Sequence, residues 1–577
     1  MRYNVLACDY DETLASNSQV TDETIEALER LSRAGFKLLL VTGRELDDLL
    51  SVFPHPALFD LIVAENGGLL YDPRQRTCDA LAEPPPAELA ERLRAEGVSP
   101  LGVGQVLVAT REPHDVHVLR VIRELGLELQ VIYNKGAVMV LPPGVNKATG
   151  LAAALERLSL SRHSVVAVGD GENDHAFLTA AECGAAVANA LPALKDACDL
   201  CLDEADGRGV TELAGRLLAG ELDELDLPRH HVLLGHAGEE EVRLPTYGLG
   251  LLVAGPSGSG KSTVTTALLE RLTGDGYQCA IVDPEGDYAE YPGVTVLGDP
   301  DRVPAVDEVL RVLEQPAHSV VINLIGLQLR DRPAYFAELL PRLTGLRAKL
   351  GHPHWLIVDE AHHLMPAEVR HVPVQHPGDV GALLMITVHP DAMSAAALGL
   401  VTTTIAVGKE PANTLAAFAT ARGLEAPSLR PAPKSDLALW RDGAAEAGEL
   451  TLAPARAERT RHRRKYAAGT MAKDKSFYFT GPEERLRLRA RNLHTFVELS
   501  EGVDDDTWLH HLRRGDYSGW IRDKLGDAEL ADEVARVEHE QAELSPRDSR
   551  QRVADLIGAR YTLPAEPTDF DPDHKDR

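Results

Sequence analysis

The sequence lacks an apolar run approaching the ~18 residues that a membrane-spanning helix requires. It has only 6 cysteines in 577 residues, which are too few and too scattered for a disulfide framework, and we expect free thiols. Positive charge is also scarce, because 59 Lys and Arg residues stand against 89 Asp and Glu, giving a formal net charge of −30. This balance disfavours a general attraction to nucleic-acid phosphates, and we expect no membrane association.

The first residues, MRYNVLACDYDET, lack the basic and long apolar regions of a signal peptide. We therefore expect a cytoplasmic protein. Cys198 and Cys201 form a C-x-x-C pair, but no second pair follows at zinc-ligand spacing. The favoured interpretation of this pair is two small buried apolar residues, with metal or redox chemistry as the alternative.

The chain is longer than a single core supports, so several domains are expected. Short apolar runs alternate with helical patterns over residues 1–220 and again over 231–430, which predicts two parallel-sheet α/β domains. Residues 431–475 are Pro-rich and then basic, which indicates a linker. Amphipathic spacing over 476–560 predicts a small helical domain. The Pro- and Asp-rich residues 561–577 predict a disordered tail.

Carboxylate and hydroxyl side chains follow two apolar strands of the first domain. Asp9 and Asp11 come at the end of the run VLAC, and alternate residues of an extended segment point the same way. Thr42 follows a second apolar run, FKLLLV. Because ligands bind at the carboxyl ends of strands in open α/β sheets, these side chains are predicted to share one site.

Later parts of the same domain add a cation and two more carboxylates. Lys147 opens a helix and would offset the charge of a phosphate, while Asp170 and Asp174 follow the apolar run SVVAVG. Carboxylate oxygens suit the hard cation Mg²⁺. The combination predicts a magnesium-dependent phosphate site.

The motifs D-x-D-x-T, T-G-R, Lys and G-D-x-x-N-D resemble the four motifs of the haloacid dehalogenase (HAD) superfamily, which implies a Rossmann-like core. The resemblance implies that Asp9 is a nucleophile forming an aspartyl-phosphate and that Asp11 is the general acid and base. Thr42 and Lys147 would stabilise the phosphoryl group. The implied Mg²⁺ ligands are Asp9, Asp11, Asp170 and Asp174.

About 100 residues separate the T-G-R motif from Lys147, so we predict a cap domain at roughly residues 75–145. An insertion at this point resembles the α/β cap of the Cof-type and sucrose-phosphatase-like branch. That branch acts on small phosphorylated metabolites such as sugar phosphates or phosphoglycolate. Glu65-Asn66-Gly67 matches a strand-end motif of the branch or is a simple turn. Glu12 stands where the family usually has Gly, and we interpret it as a tolerated variation.

A phosphate-binding loop opens the second domain. The segment fits G-x-x-x-x-G-K-S/T between the apolar run GLGLLVAG and a helical pattern. Glycines let backbone N–H groups wrap phosphates, the Lys reaches the outer phosphates, and the following Ser ligates Mg²⁺. The predicted ATP-binding residues are Gly255, Ser257, Gly258, Ser259, Gly260, Lys261, Ser262 and Thr263.

Asp359 and Glu360 directly follow the run HWLIV. This placement is expected of one acid that binds the Mg²⁺ ion and a second acid that activates the attacking water. Thr387 and His389, after ALLMI, are a γ-phosphate sensor or an ordinary strand end. With the Asp283–Asp287 segment, these motifs resemble the HerA/FtsK/VirB4 class of additional-strand P-loop ATPases. The resemblance implies ATP-driven work, often as a ring on DNA, and therefore a homo-oligomer. The sequence assigns no arginine finger, with Arg422 as the candidate.

We predict a bifunctional hydrolase, in which a phosphatase for a small phosphorylated metabolite is joined to an ATPase. Two alternatives remain open. A polynucleotide kinase-phosphatase would use Asp283 as the base that activates a hydroxyl, although nucleic acid is not the favoured partner. A regulatory P-loop domain would instead sense ATP and gate the phosphatase. The basic run 456–465 is a linker or a phosphate-docking segment, and the helical domain is assigned a structural or interaction role.

Overall fold

The computed structural model describes residues 2–289, 291–429, 436–453, 476–525, 527–540 and 544–561. It divides into two compact units, Met1–Ala453 and Pro454–Arg577. The first unit contains both predicted α/β domains, which confirms the fold class expected from the alternation of apolar and helical patterns. Among the described residues, none of the helices combines the length and apolar character that crossing a bilayer demands.

The N-terminal domain is built on an eight-stranded sheet. Its central strands are short apolar runs that are buried apart from Lys37, because helices cover both faces. Six strands are parallel to one another, and each of the last two pairs antiparallel with the strand before it. From edge to edge the strands are Leu200–Cys201, Cys183–Ala186, Val165–Gly169, Val5–Cys8, Lys37–Val41, Leu61–Ala64, Leu69–Asp72 and Thr77–Ala80.

Amphipathic helices connect these strands. Asp22–Arg33 is typical, since Thr21 caps its first turn and its apolar side chains Ala27, Leu28 and Leu31 are buried. The other helices of this core are Leu46–Val52, Lys147–Leu158, His175–Ala180, Pro192–Ala197 and Asp206–Ala219.

A four-stranded antiparallel sheet with two helices forms the cap between the strand Thr77–Ala80 and Lys147. The helices are Ala87–Ala95 and Asp115–Glu124. The strands, in spatial order, are Gly102–Val103, Val108–Arg111, Ala137–Leu141 and Gln130–Asn134. The cap therefore begins later than residue 75, because Thr77–Ala80 pairs with the core sheet.

The central domain contains a ten-stranded sheet. A strand ending at Thr387 lies between the strand before the phosphate-binding loop and the strand before Asp359, as in additional-strand P-loop domains. In spatial order the strands are Val294–Leu297, Ser319–Asn323, Cys279–Asp283, Trp355–Val358, Ala382–Thr387, Gly250–Ala254, Thr403–Val407, Leu437–Arg441, Glu446–Glu449 and Ser428–Leu429.

Helices and a small antiparallel sheet complete this domain. The small sheet consists of Glu240–Pro245, His231–Ala237 and Thr451–Leu452. The helices are Lys261–Gly274, Val306–Leu313, Arg332–Leu350, Ala361–Leu364, Ala395–Leu398 and Pro411–Arg422. Strands within 437–452 belong to this domain, so the predicted linker from residue 431 is wrong for that part. The basic run 456–465 lies outside the described residues.

A buried polar cluster joins the two α/β domains. Glu182 of the N-terminal domain is 5% exposed. Its carboxylate accepts hydrogen bonds from Arg2 (3.0 Å) and His163 (2.7 Å), and from the hydroxyl of Tyr277 in the central domain (3.2 Å). The rings of His163 and Tyr277 stack with centroids 3.8 Å apart. Charged groups remain buried in folded proteins when they are paired in this way. These contacts therefore indicate a specific interface between the two domains.

The second unit contains the predicted helical domain and also a short antiparallel hairpin, Phe477–Phe479 with Leu488–Ala490. Large apolar side chains such as Phe496 and Trp508 are buried, but Leu488 is 40% exposed. Tyr561, expected in the tail, is buried. The α-helices are Leu493–Gly502, Asp505–Arg514, Asp516–Trp520, Ala528–His539 and Pro546–Arg560.

Candidate functional site

Three carboxylates meet at the carboxyl edge of the N-terminal sheet. The strands Val5–Cys8 and Val165–Gly169 are parallel neighbours, so Asp9 and Asp170, which directly follow them, lie side by side. Asp174 joins them from the next turn. One oxygen of each carboxylate lies within 4.8 Å of the others, and all three residues are buried. The structure thus brings together the acids predicted for this site, except Asp11.

Lys147 lies in the middle of this acidic cluster. It begins the helix Lys147–Leu158, whose N-cap Asn146 fixes the start of the helix. Its Nζ is 2.6 Å from Asp9 Oδ1 and 2.6 Å from Asp174 Oδ1, and the side chain is 1% exposed. Burial opposes its charge, but the Asp174 and Asp9 carboxylates outweigh burial and raise the pKa of Lys147. The ammonium group is therefore held in its charged form.

The cluster suits a divalent cation. Burial raises the pKa of Asp9 and of Asp170, although nearby Lys147 and Lys135 oppose the shift. A cation among these oxygens would offset the repulsion that makes their ionisation costly. The ligand atoms are carboxylate oxygens, which Mg²⁺ prefers, so the residues present fit the metal that the sequence predicts.

Arg44 explains why Asp11 lies outside the cluster. Its guanidinium donates to Asp11 at 2.6 and 2.8 Å and also to Ser18 and Asp48. The Asp11 carboxylate thus makes a bidentate contact with Arg44 rather than joining the cluster, and its role as a metal ligand stays a prediction. Thr42 is buried, and its hydroxyl accepts a hydrogen bond from the Arg44 N–H at 3.1 Å. The T-G-R motif pointed to Arg44, but no role had been assigned to it.

Glu65 fixes the cap to the core. Its buried carboxylate accepts the backbone N–H groups of Gln105 (3.0 Å), Val106 (2.7 Å) and Leu107 (3.0 Å), which lie in the cap. Such a cluster of N–H donors stabilises a buried carboxylate. The segment Glu65-Asn66-Gly67 is therefore more than a simple turn.

Glu12 adopts a backbone conformation that favours glycine. Its φ is +58°, in the left-handed region that L-residues rarely occupy. This geometry explains why Gly is the usual residue at this place in the family it resembles. The Glu12 N–H donates to Ala15 O at 2.8 Å, and its carbonyl accepts from Asn189 Nδ2 at 2.7 Å, so neighbouring residues hold the unusual conformation.

The phosphate-binding loop connects the strand Gly250–Ala254 to the helix Lys261–Gly274. Gly258 and Gly260 have φ values of +76° and +106°, which side-chain-bearing residues would resist. Lys261 Nζ donates to the carbonyls of Gly255 (2.9 Å) and Pro256 (3.0 Å). The loop folds around the ammonium group that was predicted to reach the phosphates.

Asp359 and Glu360 follow the strand Trp355–Val358. Burial raises the pKa of both carboxyl groups, helped at Asp359 by the charge of Asp283. Glu360 Oε2 lies 3.4 Å from His362 Nδ1. The Thr387 hydroxyl lies 3.1 Å from the same ring nitrogen and also accepts the His389 N–H at 3.0 Å. His362, which the sequence did not single out, therefore contacts Thr387, while Glu360 Oε2 makes no hydrogen bond among the described residues.

Asp283 has a structural role. Its carboxylate accepts the backbone N–H groups of Gly286 (2.8 Å), Asp287 (3.1 Å) and Tyr288 (2.7 Å), and a longer bond from Glu285 (3.3 Å). It is 0% exposed. A general base must reach the proton that it takes, so this geometry weakens the kinase interpretation.

Two further candidates have local partners. Arg422 donates to Asp442 at 2.7 Å within its own domain. The Sγ atoms of Cys198 and Cys201 lie 3.6 Å apart. Cys198 is half-buried and Cys201 is exposed, so the prediction of two buried cysteines is wrong. The expectation that all six cysteines are free thiols agrees with the structure.

Comparison with known families identifies both α/β domains. The model of haloacid dehalogenase-like hydrolases matches residues 6–86 and 106–213, and the model of an AAA domain matches residues 246–386. The gap in the first match lies in the cap.

The similarity to known proteins extends over the N-terminal domain. The phosphoglycolate phosphatase of Methanothermobacter thermautotrophicus is 30% identical over 223 residues, covering 37% of this chain and 98% of that protein. Phosphoglycolate phosphatase 2 of Saccharolobus solfataricus is 29% identical over 235 residues, with 39% and 96% covered. The phosphoglycolate phosphatase of Sulfurisphaera tokodaii is 31% identical over 219 residues, with 36% and 92% covered.

Proposed function

We propose that the chain combines two activities, because it belongs to the haloacid dehalogenase-like hydrolases and also carries an AAA domain. The N-terminal domain, a phosphoric monoester hydrolase, acts on a small phosphorylated metabolite through Asp9. The central domain binds and hydrolyses ATP. The observation that carries the proposal is the buried cluster of Asp9, Asp170, Asp174 and Lys147.

In the proposed reaction, an Asp9 oxygen attacks the phosphorus and the ester oxygen leaves, taking a proton from Asp11. Asp11 then takes a proton from a water molecule, which attacks the aspartyl-phosphate and releases phosphate while restoring Asp9. Because the Arg44 guanidinium contacts both carboxylate oxygens of Asp11, Asp11 can donate a proton only after Arg44 moves away from it. Lys147 and Thr42 hold the phosphoryl oxygens.

Asp9, Asp170 and Asp174 would hold Mg²⁺, which when bound offsets the charge of the phosphoryl oxygens. The names of the similar proteins support 2-phosphoglycolate as a candidate substrate, and sugar phosphates remain candidates from the type of cap.

A phosphate-release screen of phosphorylated metabolites with Mg²⁺ tests this activity. We expect release from a small ester by the full chain and only background release by the Asp9→Asn protein. Activity that survives Asp9→Asn would contradict the proposed nucleophile. Glu12→Gly is a matched control near the site, because it relieves a left-handed φ without touching the proposed chemistry.

For the central domain, we propose that the loop N–H groups and Lys261 bind the ATP phosphates. Ser262 and Asp359 would hold its Mg²⁺, and Glu360 would activate the attacking water. The position of Glu360 directly after Asp359 at the end of the strand Trp355–Val358, with its Oε2 free of a hydrogen-bond partner among the described residues, supports this role.

A second candidate function is regulatory, with ATP binding gating the phosphatase. The buried cluster around Glu182 favours it, because a change in the central domain has a packed route to the N-terminal domain. Phosphatase assays of the Glu360→Gln protein with and without ATP separate the two. A response to ATP that persists without hydrolysis supports gating, whereas no response in either protein counts against it.

A further inference from the structure

The tip of a cap hairpin enters the phosphatase site. The hairpin joins Gln130–Asn134 to Ala137–Leu141, and its turn residues Lys135 and Gly136 have positive φ. The Lys135 ammonium forms an ion pair with Asp170, and its backbone N–H donates to Glu172 Oε2 at 3.1 Å. The cap therefore delivers a cation to one of the three clustered carboxylates.

Three buried amide atoms surround this tip. Within the described part of the chain, Asn66 Nδ2, Asn134 Oδ1 and Asn173 Oδ1 have no hydrogen-bond partner. They belong to one place, since Asn173 Nδ2 donates to Asn66 Oδ1 at 2.9 Å. Asn134 Oδ1 and Asn173 Oδ1 both lie beside Gly171, 2.4 and 3.2 Å from where a Cβ would stand. Unsatisfied buried polar atoms call for a partner, and of these three only the Asn66 Nδ2 group can donate a hydrogen bond to an anionic ligand.

Lys135 is paired with Asp170, which the proposed reaction requires as a ligand of Mg²⁺. Asp170 Oδ1 already accepts the Thr13 hydroxyl at 3.0 Å, and its other oxygen contacts Lys135. If Asp170 binds Mg²⁺, the two positive charges repel each other and the lysine needs a different anion. Its side chain is 36% exposed, so it is free to turn toward a ligand.

We propose that Lys135 is a substrate-binding residue that pairs with a second anionic group, a carboxylate, at the far end of a short phosphate ester. The inference rests on the proposed phosphatase function and deepens it. The ester must be short because Nζ already reaches the phosphoryl-transfer carboxylates, so the second anion lies within one lysine side chain of the phosphate. The free Asn66 amide hydrogens provide a further donor for the same carboxylate.

The test compares two esters with the same two-carbon skeleton, 2-phosphoglycolate and ethyl phosphate, which lacks the carboxylate. Replacing a charged hydrogen-bond donor weakens binding about 10- to 100-fold. We therefore expect Lys135→Met, assayed at saturating Mg²⁺, to raise the KM for 2-phosphoglycolate by this factor and to change the KM for ethyl phosphate much less. Lys135→Arg should retain part of the preference. Arg120→Met, an exposed cap residue paired with Glu96, is the matched control and should change neither.

Binding provides a readout without turnover. In the Asp9→Asn background with Mg²⁺, calorimetry should give a Kd for 2-phosphoglycolate that Lys135→Met weakens by the same factor. Mg²⁺ alone should bind more tightly to the Lys135→Met protein, because the ammonium no longer contacts Asp170. An equal loss for both esters, or equal binding of both by the unmodified site, overturns the proposal. A binding preference without any Asp9-dependent hydrolysis supports Lys135 while refuting the phosphatase function.

Discussion

Replacing Glu182 by Gln tests whether the buried cluster between the two α/β domains stabilises the first unit. The substitution keeps the shape of the side chain but removes the charge that faces Arg2, which is 8% exposed. Arg2 and His163 then lose the carboxylate that lies 3.0 and 2.7 Å from them. Breaking a buried pair by removing one partner leaves an uncompensated charge.

The expected loss follows from the pKa of Glu182. Burial disfavours its charge, but His163 and Arg2 outweigh burial and lower the pKa from 4.5 to about 2. By linkage this shift corresponds to about 3 kcal/mol of stability. Because the folded pKa is the lower one, the contribution is complete above pH 4.5 and is lost as the pH falls toward 2. The Glu182→Gln protein should therefore be less stable by about 3 kcal/mol at pH 7, with a smaller difference at pH 3.

Urea unfolding of the full chain, followed by circular dichroism at both pH values, measures this difference. Glu29→Gln is the control, since its partner Arg33 is on the surface and the two side chains are 46% and 69% exposed. That change should cost less than about 0.5 kcal/mol. Equal stability of the Glu182→Gln and unmodified proteins at pH 7 would refute the reasoning.

The remaining predictions concern the nucleotide site and a buried histidine. Lys261→Ala should abolish ATP binding measured by calorimetry, whereas Glu360→Gln should retain binding and lose phosphate release from ATP; hydrolysis by the Glu360→Gln protein at the normal rate would contradict the assignment. His354 accepts the Gln278 N–H through Nδ1 at 2.8 Å, and burial holds its pKa well below the ordinary value of 6.5. Its contribution to stability is therefore complete above pH 6.5 and lost as the pH falls below it. His354→Asn, which keeps an acceptor, should reduce the fall in urea midpoint between pH 7 and 5, and an unchanged fall would count against this origin.

Much of the N-terminal site was predictable from local patterns. The apolar runs before Asp9, Thr42 and Asp170 indicate buried parallel strands, and the carboxyl ends of such strands lie at one edge. Proximity of these residues thus follows from alternation alone. The hydrogen-bond partners of the site residues do not follow from this alternation, because the pairing of Asp11 with Arg44 depends on how two loops face each other.

The cap illustrates what the sequence could not reveal. Its existence follows from the length between Arg44 and Lys147, but Lys135 lies in an ordinary N-K-G turn. The hairpin reaches Asp170 only because the cap packs against the core, which no local pattern encodes. Likewise, nothing near Glu182 indicates that it meets Tyr277 of another domain.

The end of the central domain was missed for a different reason. The strands Leu437–Arg441 and Glu446–Glu449 are short, and the second is polar and lies next to the edge strand Ser428–Leu429. A Pro-rich stretch precedes them, which is typical of linkers. Their pairing with Thr403–Val407 and with each other stabilises them, so tertiary contacts override weak local preference.

The most direct test of the central claim is the capture of phosphate on Asp9. The protein is mixed briefly with 2-phosphoglycolate and Mg²⁺, quenched in acid and mapped by mass spectrometry. We expect a phosphorylated peptide containing Asp9, which disappears when the same experiment is run on the Asp9→Asn protein. Phosphate release by the Asp9→Asn protein at the unmodified rate, with no phosphorylated peptide in either sample, would contradict the account.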